Sequence, residues 1–304
     1  MVLGHMLWMF LSIYSVRCCV VMVTSRFDRD KPQWHIRIQR SQGWAALNLR
    51  ELWAYRDLFG ILAGRDIRLR YKQTALGITW VILQPVLASG IFAVIFGVLA
   101  DLPSDETPYF LFAFAGMLPW TLFAQSLSRS GGSLVGNRDM ISKVYFPRII
   151  LPIASSIAVL VDFFIGLVML LIMLMFYRIP FTMRLLWLPA LVFLNLTIAI
   201  GVSFWISAFS VYYRDFVYVL PFLIQAWMYA SPTAYSTDLI PEGWLWVYSL
   251  NPMVGVINGF RWVFLNHGAF PATSLAVGSV VGILVFVLGA MVFRRIERNF
   301  ADVI

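Results

Sequence analysis

The chain has 304 residues, 61% of them hydrophobic and 12% charged, with a mean hydropathy of +0.80. A soluble domain carries about a quarter charged residues, so this composition excludes one and indicates an integral membrane protein. The net charge of +8 does not imply a nucleic-acid partner, because most Lys and Arg lie between or before hydrophobic segments, where topology accounts for them.

Residues 1–25 stand apart. The stretch is apolar up to Arg17 and signal-like in hydropathy, yet it lacks a basic n-region and a small-residue cleavage site. It is expected to be an upstream extension, with the natural start at Met22; an extra membrane-associated segment is the alternative. Cys18 and Cys19 are adjacent and alone, and His5, His35 and His267 are far apart, so neither a disulfide framework nor a metal site is expected.

Residues 26–77 form a basic segment with eleven Lys and Arg between Arg26 and Lys72. Within it, 49–74 reads as an amphipathic helix. Leu52, Tyr55, Phe59 and Leu62 recur at helical spacing, and Arg50, Arg56, Asp57, Arg65 and Asp66 lie among them. Such a helix suits the membrane interface. The alternative is a solvated helix.

Six spans follow within 78–293, each near the ~20 residues that cross a ~30 Å hydrocarbon core. They are 78–100, 109–128, 150–177, 185–211, 216–235 and 273–293, with Pro85, Pro119, Pro221 and Pro232 inside or near the ends of spans. The fold class is thus an all-α membrane protein. The Lys and Arg of the N-terminal segment, the 129–148 connector, Arg214 and the tail 294–304 fall on one side. The positive-inside bias makes that side, and both termini, cytoplasmic. Residues 251–265 are largely apolar but too short to cross, with Arg261 interrupting them, and read as a re-entrant segment before the last span. Asn251-Pro252 is a helix-start signal there. An ordinary outer loop is the alternative.

No G-x-x-x-x-G-K-[ST] occurs, nor any Rossmann fingerprint or HExxH, so no nucleotide or metal cofactor is expected in this chain. Asp162 lies about twelve residues into the third span. An intramembrane carboxylate is a functional candidate by default. Without further ionisable groups deep in spans, a structural tie is favoured over a proton relay.

Four stretches, taken in order, resemble the membrane subunits of type-2 ABC exporters that move bacterial polysaccharides such as O-antigen, capsule or teichoic acid. They are "RDIRLRYKQTALGITWVILQP" (65–85), "NRDMISKVYFPRIILP" (137–152), "VYYRDFVYVLPFLIQAWMYASPTAY" (211–235) and "SLNPMVGVINGFRW" (249–262). The resemblance spans about 45–300. It implies a homodimer in the bacterial inner membrane, contacting membrane lipids and two copies of a separate ATPase subunit that holds ATP and Mg. The substrate would be a lipid-linked polysaccharide. It also implies a cytoplasmic coupling helix at 137–145. Asn137 would cap it, Met140, Val144 and Tyr145 would give apolar contact, Arg138, Asp139 and Lys143 charged contact, and Pro147 would fall in the first turn of the third span.

A glycan presents hydroxyls and apolar C–H faces, which aromatic rings suit. Tyr109, Trp120, Trp205, Trp227 and Tyr229 are the candidates for its path. The competing functions are a permease for a drug or small lipid, a membrane glycosyltransferase using Asp101, Asp105 or Glu106, and a proton-coupled transporter built on Asp162.

Overall fold

The computed structural model describes residues 49–72, 77–101, 107–213, 215–266 and 268–297. The extension 1–25, Asp105, Glu106, Arg214 and the tail from residue 298 lie outside the described residues, as does most of the basic segment before the first helix. Among the described residues the regular structure is helical throughout.

In chain order the helices are α1 (Leu49–Ala54), α2 (Arg56–Tyr71), α3 (Gly77–Phe92), α4 (Tyr109–Gly136), α5 (Arg138–Lys143), α6 (Ile150–Ala158) and α7 (Leu160–Phe176). They continue with α8 (Leu188–Tyr212), α9 (Phe216–Tyr229), α10 (Leu245–Ser249), α11 (Pro252–Leu265) and α12 (Ala272–Glu297). α3 runs on through a π-helical stretch, Ala93–Leu99. A 3-10 turn, Met183–Trp187, leads into α8.

Five helical segments are long and apolar enough to cross a membrane: Thr79–Leu99, Tyr109–Gly136, Ile150–Phe176, Met183–Tyr212 and Ala272–Glu297. The expected fifth span, 216–235, is instead a 14-residue helix, about 21 Å long at ~1.5 Å per residue. Pro232 limits how far the helix can run. It has no N–H to donate, and it disfavours helical backbone at the residue before it. The expected re-entrant segment is also a 14-residue helix, α11. Pro85, Pro119 and Pro221 are accommodated inside α3, α4 and α9.

α4 is the central helix: 78% of its most apolar stretch is buried, against 11% for Thr79–Leu99. It continues past the expected end at 128 to Gly136, so Arg129 belongs to it. One apolar core surrounds α4 with α7, α8, α9 and α11, including Phe112, Phe123, Phe163, Leu170, Ile198 and Phe260. A second core lies at the end of the bundle that carries α5. It joins Leu62 of α2, Leu134 of α4, Ile141 of α5, Ile150 of α6, Phe204 of α8 and Phe293 of α12.

The expected single helix over 49–74 is two, α1 and α2, meeting at Tyr55, and their shared apolar stripe faces this second core. Leu62 and Ala63 are buried in it, and Leu52, Tyr55 and Phe59 pack on it. The stripe expected to suit a membrane surface therefore seats the helix on the protein.

The seam between α8 and α12 depends on small residues. A Cβ on Gly201 would come within 2.7 Å of the Phe286 Cα, and one on Gly289 within 2.5 Å of the Gly201 carbonyl oxygen. In lipid, where apolar side chains gain nothing by leaving solvent, such close backbone approach is a main source of helix association.

Candidate functional site

The α5 end of the bundle gathers most of the charged candidates. α5 is one short helix, with Ile141 buried beneath it. Arg138, Asp139, Lys143, Val144 and Tyr145 are exposed, while Met140 is half-buried against the core. The helix ends at Lys143, not at 145, and Val144 is already extended. Asn137 stands at the N-cap position, but its side chain makes no capping bond. Its Oδ1 accepts from the Arg65 guanidinium at 2.8 Å, and its Nδ2 donates to the Ser133 carbonyl at 2.7 Å. Pro147 precedes α6 in a turn closed by the Ile150 N–H on its carbonyl, so it lies outside the helix rather than in its first turn.

α2 is tied to this end by its own polar residues. Arg65 forms an ion pair with Asp66 at 2.9 Å, and Asp66 accepts from the Ser155 hydroxyl of α6 at 3.1 Å. Arg56 lies over the Trp53 ring, 5.5 Å from its centroid, and pairs with Asp57 at 3.8 Å on the open surface, where such a pair contributes little. The end of α12 is fastened here as well. Arg148 donates its backbone N–H to the Glu297 carboxylate at 2.7 Å and its guanidinium to the Glu297 carbonyl at 2.8 Å.

Asp162 is 6% exposed and binds partners from two other helices. Arg70 of α2 and Arg129 of α4 approach one carboxylate oxygen at 2.7 and 3.3 Å, and the Tyr71 hydroxyl of α2 donates to the other. Burial, and then the bond to Asp162, raises Tyr71 above the ordinary tyrosine range, so it remains a donor at neutral pH. Buried carboxylates persist when their charge and lone pairs are met in this way. Removing one member of such a group costs about 3–5 kcal/mol.

At the opposite end, the chain between α9 and α10 is irregular yet buried: Ser231, Thr233, Ala234 and Ser236 are all inside. Irregular backbone at such depth needs side chains to meet its carbonyls. Arg261, from the middle of α11 and 6% exposed, supplies two donors: 2.9 Å to the Tyr235 carbonyl and 2.9 Å to that of Thr233. Its guanidinium lies 3.6 Å from the centroid of the Phe112 ring. The Tyr109 hydroxyl donates to the Ala234 carbonyl. Asn251 serves both as cap of α11, accepting from the Met253 N–H at 3.1 Å, and as a brace, donating to the Ala230 carbonyl at 3.2 Å. The expected start signal is thus realised, with Pro252 in the first turn.

The aromatic candidates are dispersed. Trp120 is buried in the main core. Trp205 stacks on Phe209. Trp227 packs edge-on to Phe123 and donates its indole N–H to Asn251 at 3.2 Å. Tyr229 is exposed, and it shares one face of α9 with the exposed Tyr218 and Phe222. Arg70, Tyr71 and Arg129 had no part in the expected site. Arg129 directly follows the expected second span and Arg70 lies within the expected 49–74 helix, and neither position revealed a pairing with Asp162.

The family model described as ABC-2 type transporter matches residues 57–265. This chain belongs to that family. It is a multi-pass membrane protein and a transport component rather than an enzyme. The chain is 27% identical over 256 residues to the O-antigen export system permease protein RfbA of Myxococcus xanthus, covering 84% of this chain and 98% of that one. It is 26% identical over 249 residues to the protein of the same name from Klebsiella pneumoniae, covering 82% and 95%. Against the polysialic acid transport protein KpsM of Escherichia coli the identity is 24% over 243 residues, covering 77% and 91%.

Proposed function

We propose that the chain is the permease subunit of an ATP-driven exporter that moves a lipid-linked polysaccharide outward across the bacterial inner membrane. The observation that carries this reading is similarity along nearly the whole length of permeases whose names specify O-antigen export, 95% of one and 98% of another. The chain itself contains no nucleotide motif, so ATP and Mg belong to a separate ATPase subunit. Two copies of this chain and two of the ATPase make the transporter.

The α5 end is the cytoplasmic end, as the distribution of Lys and Arg favours. α9, followed by the buried irregular turn, completes a sixth crossing. α11 is the re-entrant element at the outer mouth. α5 then seats in the ATPase, using the exposed Arg138, Asp139, Lys143, Val144 and Tyr145. Short helices in grooves are a recurring recognition mode. The Arg65–Asn137 bond passes the motion of α5 to α2. For the glycan, the open aromatic face of α9, with Tyr218, Phe222 and Tyr229, is better suited than the buried Trp120.

The test of the coupling role is the double substitution Lys143→Glu with Val144→Asp. Both side chains are exposed, so folding is spared. The expected result is an ATPase subunit that co-purifies about tenfold more weakly, a loss near 1.4 kcal/mol, and export that falls with it. Unchanged co-purification and export would remove α5 from the coupling surface.

A further inference from the structure

The first span is held by little of its own chain. Only 11% of the apolar stretch of Thr79–Leu99 is buried, with Val81 the one buried hydrophobic side chain of its first turns, so its own packing holds it loosely. The Asp162 cluster lies at that end. Arg70 and Tyr71 are the last residues of α2, and α3 begins at Gly77. Asp162 therefore holds the last turn of α2, the elbow from which the chain leads on to the first span.

The cluster has three anchoring points: α2 through Arg70 and Tyr71, α4 through Arg129, and α7 through Asp162. Six residues earlier on α2, Arg65 reaches Asn137 at the base of α5, and Asp66 accepts from Ser155 of α6. α2 is thus attached at one point beside the coupling helix and at another beside the elbow. A rigid helix with two such attachments carries displacement from one to the other, provided that neither gives way.

Resting on the coupling role proposed above, we infer that Asp162 is a positioning residue for transport. It clamps the last turn of α2 to α4 and α7, so that movement entering at α5 reaches the first span. Its charge matters as well as its bonds. Two guanidiniums share one carboxylate oxygen. An amide in its place leaves two like charges facing each other in a partly buried site, and their repulsion opens the elbow.

The test uses the whole transporter, permease with its ATPase, in proteoliposomes, with Cys18 and Cys19 replaced by serine. Spin labels are placed at Trp80→Cys, at the start of the first span, and at Phe164→Cys on α7; both sites are exposed. The intact protein is expected to give one narrow distance distribution that shifts on adding ATP. Asp162→Asn should broaden it about twofold and abolish the ATP-driven shift. ATP hydrolysis should stay within about twofold while surface polysaccharide in the host cell falls about tenfold. Asp162→Glu should restore both the shift and export.

If Asp162→Asn keeps the narrow distribution and the shift, the inference is overturned. Should that variant fail to accumulate in the membrane, Tyr71→Phe carries the test. It removes one hydroxyl and should broaden the distribution in the same sense; an unchanged distribution and shift would count against the clamp. An unaltered protein that exports without any ATPase would instead defeat the functional reading, and the label distances without ATP would still report on the elbow.

Discussion

At the scale of single residues, the outer turn depends on one buried cation and one missing side chain. Arg261 meets the carbonyls of Thr233 and Tyr235, and it fits because residue 116 is glycine. A Cβ there would come within 2.6 Å of the Thr233 carbonyl oxygen and 2.8 Å of the Arg261 Nη2. Arg261→Met fills similar space but leaves two buried carbonyls unmet, and each costs about 1–3 kcal/mol. Gly116→Ala forces backbone or guanidinium to move, at about 1–3 kcal/mol. Thermal unfolding of the detergent-purified protein measures both. Each substitution should lower the midpoint, and the double variant should lose less than the sum, since both act on the same turn. Additive losses would mean that Gly116 and Arg261 serve separate contacts.

At the scale of elements, the seam between α8 and α12 is the most demanding. With Gly201 and Gly289 facing each other closely, Gly201→Leu should separate the helices. The expected outcome is loss of the folded monodisperse peak in size-exclusion chromatography, whereas the same change at Gly132, where a Cβ meets nothing within 4 Å, should be tolerated. The sequence made most elements legible because long apolar runs admit few alternatives: Thr79–Leu99, Ile150–Phe176, Met183–Tyr212 and Ala272–Glu297 fall within a few residues of expectation. It failed where composition does not encode an end. α4 runs on to Gly136 because its polar serines bond within the protein, Ser130 to the Pro152 carbonyl and Ser133 to the Ser130 carbonyl. Pro232 sets a limit for α9, but the helix already stops at Tyr229, where Arg261, Tyr109 and Asn251, distant in sequence, meet the carbonyls that an unbroken helix would have met itself. The α2 stripe was visible, but periodicity shows only that one face is apolar, not whether lipid or protein covers it. For the same reason the partners of Asp162 were hidden: a carboxylate in a span demands a counter-charge, and only tertiary contact selects Arg70 and Arg129.

At the scale of the whole molecule, the parts divide into two working ends. One has a short exposed helix, α5, tied through Arg65 to α2 and through α2 to Asp162. The other has a buried irregular turn braced by Arg261. Between them, α4 is enclosed and the first span is largely open. On the proposed reading, energy enters at the α5 end, and a polymer leaves past the turn. The most direct measurement is the fate of the polysaccharide in host cells that lack this chain. The account predicts that surface polymer disappears, that lipid-linked polymer builds up in the cytoplasm, and that supplying the chain together with its ATPase restores the surface. Undiminished surface polymer in those cells, with none held inside, would contradict it.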